Sequence, residues 1–410
     1  MHVVVVGGGA IGVSIAYRLR LLGARVTLFE VNGLGTGASY GNAGLIVPSY
    51  SLPLATKQNV LEGLRSIVGV PSAVGVRVPL TIETMLWFGR FLSSTRRSVT
   101  DRSLTTLASL TRESLALYEK VLAGAPASVG YERNGTLYVA LTGAALNQSS
   151  ALAARLAKLG IEAKVLSASE ARLHEPTLSN SIAGAVWYPG DAHVQPLQFV
   201  EYLAGLAVSA GVVVRRERVM GVVRSGNRAV GVRIAGKHFA ADQVVLAAGT
   251  WGPDVAKSLG LRVPILPAKG YSVDFRLERP PRTPMLFTER HVSATPMNGV
   301  VRATTGLDFH GEDPAIAPQR LQSIRAAYDE YLEAPKVIEE SAPWAGFRPL
   351  TPDGLPIVGP SSRILNFCFA TGHGPLGITL APVTADLIAS AILDDPTAIP
   401  AAILPRRFGI

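Results

Sequence analysis

Continuous apolar runs and helical spacings alternate from the first residues. Residues 3–6 are four consecutive valines, the pattern of a strand buried on both faces. Ile11, Ile15, Leu19 and Leu22 then recur at helical intervals, and Gly23 ends the run. A second apolar stretch, Arg25-Val26-Thr27-Leu28-Phe29, stops at Glu30. The pattern predicts strand, helix, strand. Further on, residues 155–160 read as the end of a helix, 199–211 as a second helix and 212–214 as a strand. Val222-Val223 and Val230-Gly231-Val232 predict a hairpin across Ser225-Gly226-Asn227. Residues 243–248 form a buried strand, 271–310 alternate like exposed strands, and a last helix runs from the Gly374 region toward Ala391. There is no internal repeat and no low-complexity linker.

Composition narrows this picture little. The chain has 410 residues, enough for two domains or one large composite, and 48% hydrophobic against 17% charged residues, which argues against disorder. One cysteine, Cys368, allows no internal disulfide or cysteine metal site and points to a reducing, cytoplasmic compartment. The seven histidines lack ligand spacing, so no metal is expected. The net charge of +9 fits general solubility, nucleic acid or an anionic membrane surface. No zinc-finger, RNP or concentrated basic motif supports nucleic acid. No signal peptide is expected, because Met1-His2 runs straight into the first strand, and no apolar stretch is long enough to span a bilayer.

Between the first strand and helix stands Gly7-Gly8-Gly9-Ala10-Ile11-Gly12, a G-x-G-x-x-G. Gly7 permits the tight turn, Gly9 lets the backbone approach a pyrophosphate, and Gly12 lets helix and strand pack. The helix start, at Ala10 and Ile11, offers unpaired N–H groups to phosphate, and Glu30 can accept from ribose hydroxyls. The motif alone does not separate FAD from NAD. The small-residue loop over residues 33–44 helps to separate them: it can track an extended ligand closely, which suits buried FAD.

These segments resemble the D-amino-acid oxidase superfamily of FAD flavoproteins, and within it the small D-amino-acid dehydrogenases. The resemblance rests on the fingerprint with Glu30, the Ser39…Asn42-Ala43-Gly44 loop, Gly135-Thr136-Leu137 and Asp191…Gln195-Pro196…Phe199. It continues through Val245-Leu246-Ala247-Ala248-Gly249-Thr250-Trp251, Lys269-Gly270-Tyr271-Ser272, Gly346-Phe347-Arg348-Pro349 and Thr371-Gly372-His373-Gly374-Pro375-Leu376-Gly377. It implies a composite fold: an α/β, Rossmann-like FAD-binding domain assembled from residues 1–80, 150–262 and 340–410, and an α+β substrate domain on a mixed or antiparallel sheet from residues 81–149 and 263–339. It also implies non-covalent FAD, since Cys368 does not match the thioether cysteine of sarcosine-type relatives. Val219, Ala248, Gly249, Trp251 and Gly346 would contact the cofactor. Gly374, Leu376, Gly377, Ile378 and Thr379 would surround the flavin edge at a helix start.

Arg348 carries the expected substrate contact. A guanidinium grips a carboxylate through two parallel hydrogen bonds, and the family arginine of this motif holds the substrate carboxylate. The alternative is a structural ion pair with Asp353 or Glu340. Tyr271 matches the family tyrosine that bonds substrate or closes the pocket; the alternative is a packed sheet tyrosine. Tyr40, Tyr50 and Asn42 are further candidates beside the flavin, and the lone His373 is not read as a base.

The implied activity is oxidation of a D-amino acid, of the D-proline or D-alanine type, by hydride transfer to flavin, with electrons passed to a quinone or dye. Oxidation of L-proline, hydroxyproline, sarcosine or glycine is a close variant. A non-catalytic or tRNA-modifying flavin subunit would lack the substrate arginine. Residues 60–97 mix apolar side chains with Arg65, Arg77, Arg90, Arg96 and Arg97 and are interrupted by Pro71 and Pro79. The stretch over 82–92 reads either as an interfacial helix with aromatic anchors, placing the protein on the inner face of the cell membrane, or as a helix packed inside.

Overall fold

The computed structural model describes residues 1–67, 72, 74–77, 81–393 and 399–410; Pro71 and Pro79 lie outside the described residues. The valine run forms strand β1 (His2–Val6), followed by helix α1 (Ala10–Leu21) and strand β2 (Arg25–Phe29). Every residue of β1 is buried, as its unbroken apolar sequence requires. β1 is central in a six-stranded sheet, parallel to β2 on one side and to Gln243–Leu246 on the other, with Val6 opposite Phe29 and Leu246. Val213–Arg215 and Phe367–Thr371 extend the parallel sheet, and Ile357–Pro360 closes it antiparallel. Strands from four distant parts of the chain therefore build one nucleotide-type sheet, covered by α1, Pro196–Ser209 and Ala381–Leu393.

The second layer system is a ten-stranded mixed sheet. Its path runs from Val337–Glu340 through Leu266–Leu277, Val300–Phe309, Val292–Met297, Met285–Phe287, Thr136–Ala140 and Gly184–Tyr188 to Lys164–Ser167. Trp344–Leu350 pairs with Leu266–Leu277, placing Arg348 opposite Ala268. The expected hairpin forms between Val219–Ser225 and Arg228–Ile234, with Val222 opposite Val232.

The sheets shift the expected domain boundaries. Strands Lys164–Ser167, Gly184–Tyr188 and Trp344–Leu350 fall in segments expected on the FAD side, yet they pair within the large sheet. Conversely, helix Arg97–Val121, expected in the substrate domain, buries Leu107, Leu110, Leu115 and Tyr118 in the same core as Val3, Val5 and Ile15. The strands within 271–310 are largely buried rather than exposed, because helix Pro318–Tyr331 covers one face with Ile324, Ala327, Tyr328 and Tyr331. No helix among the described residues is long and apolar enough to cross a membrane.

Candidate active site

One cavity of about 1180 Å³ runs from the β1–α1 turn to the large sheet. At its first end the glycine turn is shaped by close backbone approach. Gly7 has φ +109, and a Cβ there would sit 2.5 Å from the Ala247 carbonyl oxygen; a Cβ on Gly12 would overlap the Gly7 carbonyl oxygen. Gly9 differs: a Cβ would meet only Ser39 Oγ, at 3.4 Å, so its bareness faces the cavity. Ala10 and Ile11 line the cavity, and the Ala10 N–H donates to Ser39 Oγ at 3.1 Å. Glu30 closes this end. Its carboxylate accepts from the N–H groups of Gly8 (2.8 Å), Val31 (2.8 Å) and Asn32 (2.9 Å), which fixes it at the cavity wall.

The middle is walled by Asn42, Ala43, Val219, Ala248, Gly249 and Trp251. Opposite them run Gly346 and the Gly374–Thr379 segment, whose Leu376, Gly377, Ile378 and Thr379 all face the cavity. That segment is not the start of a helix. Gly374–Leu376 makes a 3-10 turn, and the helix begins only at Ala381. Side chains hold this turn in place: Tyr118 Oη donates to the Ile378 carbonyl at 2.6 Å and Thr379 Oγ1 to the Leu45 carbonyl at 2.9 Å. Its backbone still faces the cavity, so the expected N–H contacts depend on the turn and not on a helix dipole. Two expected contact residues, Gly12 and Gly44, do not line the cavity. Gly44, with φ +70, is a packing position whose Cβ would overlap the Val194 carbonyl oxygen.

At the far end Arg348 reaches across the sheet. A Cβ on Gly270, in the neighbouring strand, would overlap its guanidinium. Nη1 donates to the Gly306 carbonyl at 2.6 Å. Neither proposed structural partner is available: Asp353 pairs with Arg407 and Glu340 with Arg325. Among the described residues Arg348 forms no ion pair. Burial pulls its guanidinium below the ordinary value, opposed by Tyr50 and Asp308. Tyr50 lines the same wall, its hydroxyl pushed up by burial and drawn down by Arg348. A half-buried guanidinium without an ion pair, beside a phenol, is a site for an anion.

Tyr271 also lines this end, but its hydroxyl donates to Asp308 at 2.9 Å. Asp308 is buried and is also gripped by Arg320. The phenol proton expected for substrate is thus already committed, and Tyr271 shapes the wall with its ring. Tyr40 is half exposed and tilts against Trp344. His373 lines the cavity and shares a hydrogen bond with Thr384 Oγ1 at 3.0 Å; burial lowers its pKa to about 3, so it is neutral and no base at neutral pH. Cys368 is buried in the core, its thiol pushed up to about 12, and is not among the cavity-lining residues. No group of residues suited to a metal occurs among the described residues. Sequence reasoning missed Thr304 and Ser293, on strands of the large sheet, and Glu289 and His291, in the turn between two of its strands, all of which line the cavity. Only the strand register brings them there.

The residues present fit FAD. The glycine turn leaves open space at Gly9, a fixed carboxylate stands at Glu30, and the cavity exceeds the ~300–1000 Å³ of a typical small-ligand site, leaving room for a second molecule.

The chain matches the family model for FAD dependent oxidoreductases (DAO) over residues 2–391. It is 29% identical over 399 residues to a D-amino acid dehydrogenase of Helicobacter pylori, covering 96% of this chain and 95% of that protein. It is 32% identical over 423 residues to D-amino acid dehydrogenase 2 of Ralstonia nicotianae, covering 98% and 99%. Among solved structures, glycine oxidase from Geobacillus kaustophilus superposes with a TM-score of 0.76 at 24% identity, over 97% of this chain and 96% of that one.

Proposed function

The chain belongs to the DAO family of FAD-dependent oxidoreductases, and on that premise we propose that it is a dehydrogenase of small D-amino acids, of the D-proline or D-alanine type, delivering electrons to a quinone. The observation that carries the amino-acid reading is Arg348, half-buried at the cavity wall without an ion-paired carboxylate among the described residues. The D-configuration is supported by the names of the two dehydrogenases. Oxidation of L-proline, hydroxyproline, sarcosine or glycine is the second reading, and the glycine oxidase likeness supports its glycine member.

The chain's part in the reaction is aim and electrostatics. The turn over residues 7–10 and Glu30 would hold the pyrophosphate and ribose of FAD, and the backbone of residues 374–379 its ring. FAD, when bound, would supply the acceptor for the hydride, that is, for one proton and two electrons. Arg348 fixes the substrate carboxylate through two hydrogen bonds, with Tyr50 beside it, and so sets which Cα–H bond faces the cavity interior. The imino acid released is hydrolysed to keto acid and ammonia, or remains cyclic for a proline. Anaerobic mixing with a panel of D- and L-amino acids tests the reading: the yellow flavin colour is expected to bleach with small D-amino acids. Bleaching by L-enantiomers or glycine alone would favour the second reading, and reoxidation by quinone faster than by oxygen is expected.

We further propose that the protein works at the inner face of the cell membrane. Helix Lys57–Ile67 exposes Leu61, Leu64 and Ile67, and helix Ile82–Ser94 exposes Ile82, Met85, Leu86 and Leu92, near Arg65, Arg77 and Arg90. The aromatic anchors are corrected: Trp87 is buried, donates to the Pro264 carbonyl and stacks on Phe91, while Phe88 packs against Phe309. The surface left is aliphatic and cationic, the combination that binds anionic lipid. Cosedimentation with anionic vesicles is expected at low salt and should decline as salt is raised; a protein that stays in the supernatant at low salt sinks this reading.

A further inference from the structure

Behind the cavity wall lies a buried carboxylate that the mechanism above does not use. Asp191 precedes the short strand Ala192–His193 and is 1% exposed. It accepts from the Ser49 N–H at 3.2 Å and from Ser49 Oγ at 2.5 Å. Ser49 Oγ in turn lies 3.1 Å from Tyr138 Oη. Ser49, Tyr138 and Thr136 are all in the cavity wall, and the turn that carries Ser49 carries Tyr50 next to Arg348.

Two further hydroxyls are buried at this cluster: Thr136 Oγ1 faces Asp191 and favours its charged form, and Tyr188 Oη has no hydrogen-bond partner among the described residues. No cation pairs with Asp191 among the described residues, so its charged form is stabilised only by hydroxyls and one N–H. Burial therefore raises its pKa to about 7. The titratable groups around it are Tyr138 and Tyr188 from the large sheet and Tyr50 from the turn, all with raised pKa values, and His193 two residues on, lowered by burial to about 4. None of these changes charge near neutrality, and the cluster's proton affinity there belongs to Asp191. If the carboxyl served only to clamp the 48–50 turn, a neutral amide would suffice and would avoid burying a charge.

We propose that Asp191 is the proton acceptor for the substrate's amino group, reached through the hydroxyls of Tyr138 and Ser49. The inference rests on the amino-acid reading above. An amino acid enters with an ammonium group, whose nitrogen has no lone pair to assist loss of the α-hydrogen. One ammonium N–H gives its proton to Tyr138 Oη, Tyr138 passes its own to Ser49 Oγ, and Ser49 passes its own to Asp191 Oδ2. The balance is ammonium plus carboxylate to amine plus carboxylic acid, with no electron transferred. The freed nitrogen lone pair can then form the C=N bond as the α-hydrogen leaves Cα with the bonding pair, as a hydride, for which the family's FAD would be the acceptor. Asp191 is the terminal acceptor and touches Ser49, not the substrate, so it acts through the two hydroxyls.

The test uses the FAD-loaded enzyme and an amino acid that bleaches it. In the wild type the anaerobic bleaching rate should rise with pH through about 7 and then level. D191N should lose that limb and fall on the order of 100-fold at neutral pH, recovering only at alkaline pH, where the amino acid sheds its own proton. FAD absorbance, and its perturbation by a non-oxidisable carboxylate such as benzoate, should stay as in the wild type. Independently of turnover, the resting wild type should show an infrared band of a protonated carboxyl that titrates near neutrality and is missing from D191N. Y138F, which removes only the outer hydroxyl, should slow bleaching at least about tenfold at neutral pH and guards against a D191N that does not fold. An unchanged pH profile in D191N, or an unchanged rate in Y138F, overturns the relay. A wild type bleached by no amino acid overturns the functional reading itself, and the relay with it.

Discussion

Replacing Arg348 by alanine is expected to lower amino-acid-driven flavin reduction by about three orders of magnitude while FAD remains bound. The size follows from what the guanidinium lacks. Its Nη1 donates to the Gly306 carbonyl, and it has no carboxylate partner among the described residues, since Asp353, Glu340 and Asp308 are held by Arg407, Arg325 and Arg320. A substrate carboxylate would supply the missing counter-charge through two charge-assisted hydrogen bonds of about 1.5–3 kcal/mol each. Losing both corresponds to ~10²–10⁴-fold. The cofactor should survive, because the glycine turn and Glu30 stand at the other end of the cavity. Lysine should restore only part of the loss, as a point charge cannot fix a carboxylate's plane. Flavin content by absorbance and reduction kinetics under anaerobic conditions measure both arms. Wild-type kinetics in the alanine variant would remove Arg348 from the site.

Local patterns carried the nucleotide half of the molecule. Four valines, a helical apolar stripe and Glu30 specify β1, α1 and β2, because a parallel strand buried on both faces has no polar positions to confuse it. The hairpin at Ser225-Gly226-Asn227 was legible for a similar reason: turn chemistry and flanking valines agree. The large sheet was not legible in detail. Gly184–Tyr188 and Trp344–Leu350 join it through pairing with strands far along the chain, and nothing local announces those partners. The 25-residue helix Arg97–Val121 escaped notice because its buried face includes Ser103, Thr111 and Ser114, which dilute the apolar period.

The site divides in the same way. Gly7, Gly9 and Glu30 are close in sequence and could be read as a unit, and Arg348 stood out by its rigid surroundings. Tyr271 illustrates the limit. Its position in the cavity wall was readable, but the fate of its proton depends on Asp308, which arrives on an antiparallel neighbour. The Gly374–Thr379 segment shows a second limit: glycines and small residues mark a close backbone approach, yet they do not distinguish a helix start from a 3-10 turn. Asp191 lay within a quoted motif, but its link to Ser49 joins residues 142 positions apart.

The glycine fingerprint itself yields the remaining large effect, because its members do different things. In Gly12→Ala the new Cβ overlaps the Gly7 carbonyl oxygen and sits 3.0 Å from the Gly7 carbonyl carbon. Both are backbone atoms of the turn between β1 and α1, and Ala247 packs behind them, so no side chain can move aside. The variant is expected to be colourless and to melt well below the wild type, or to be insoluble, since α1 must leave the sheet or the turn must deform. In Gly9→Ala the backbone, at φ −75, suits any residue, and the new methyl meets only Ser39 Oγ at 3.4 Å. That protein should fold with a near-normal melting temperature. Its methyl would project into the space where a pyrophosphate must approach the helix start, and overlap of about 1–3 kcal/mol there lowers FAD affinity on the order of 10–100-fold. Thermal unfolding of the FAD-free proteins and titration with FAD separate the two outcomes. Equal FAD affinity in Gly9→Ala and wild type would move the pyrophosphate away from this turn, whereas a normal, yellow Gly12→Ala would contradict the packing of α1 against β1.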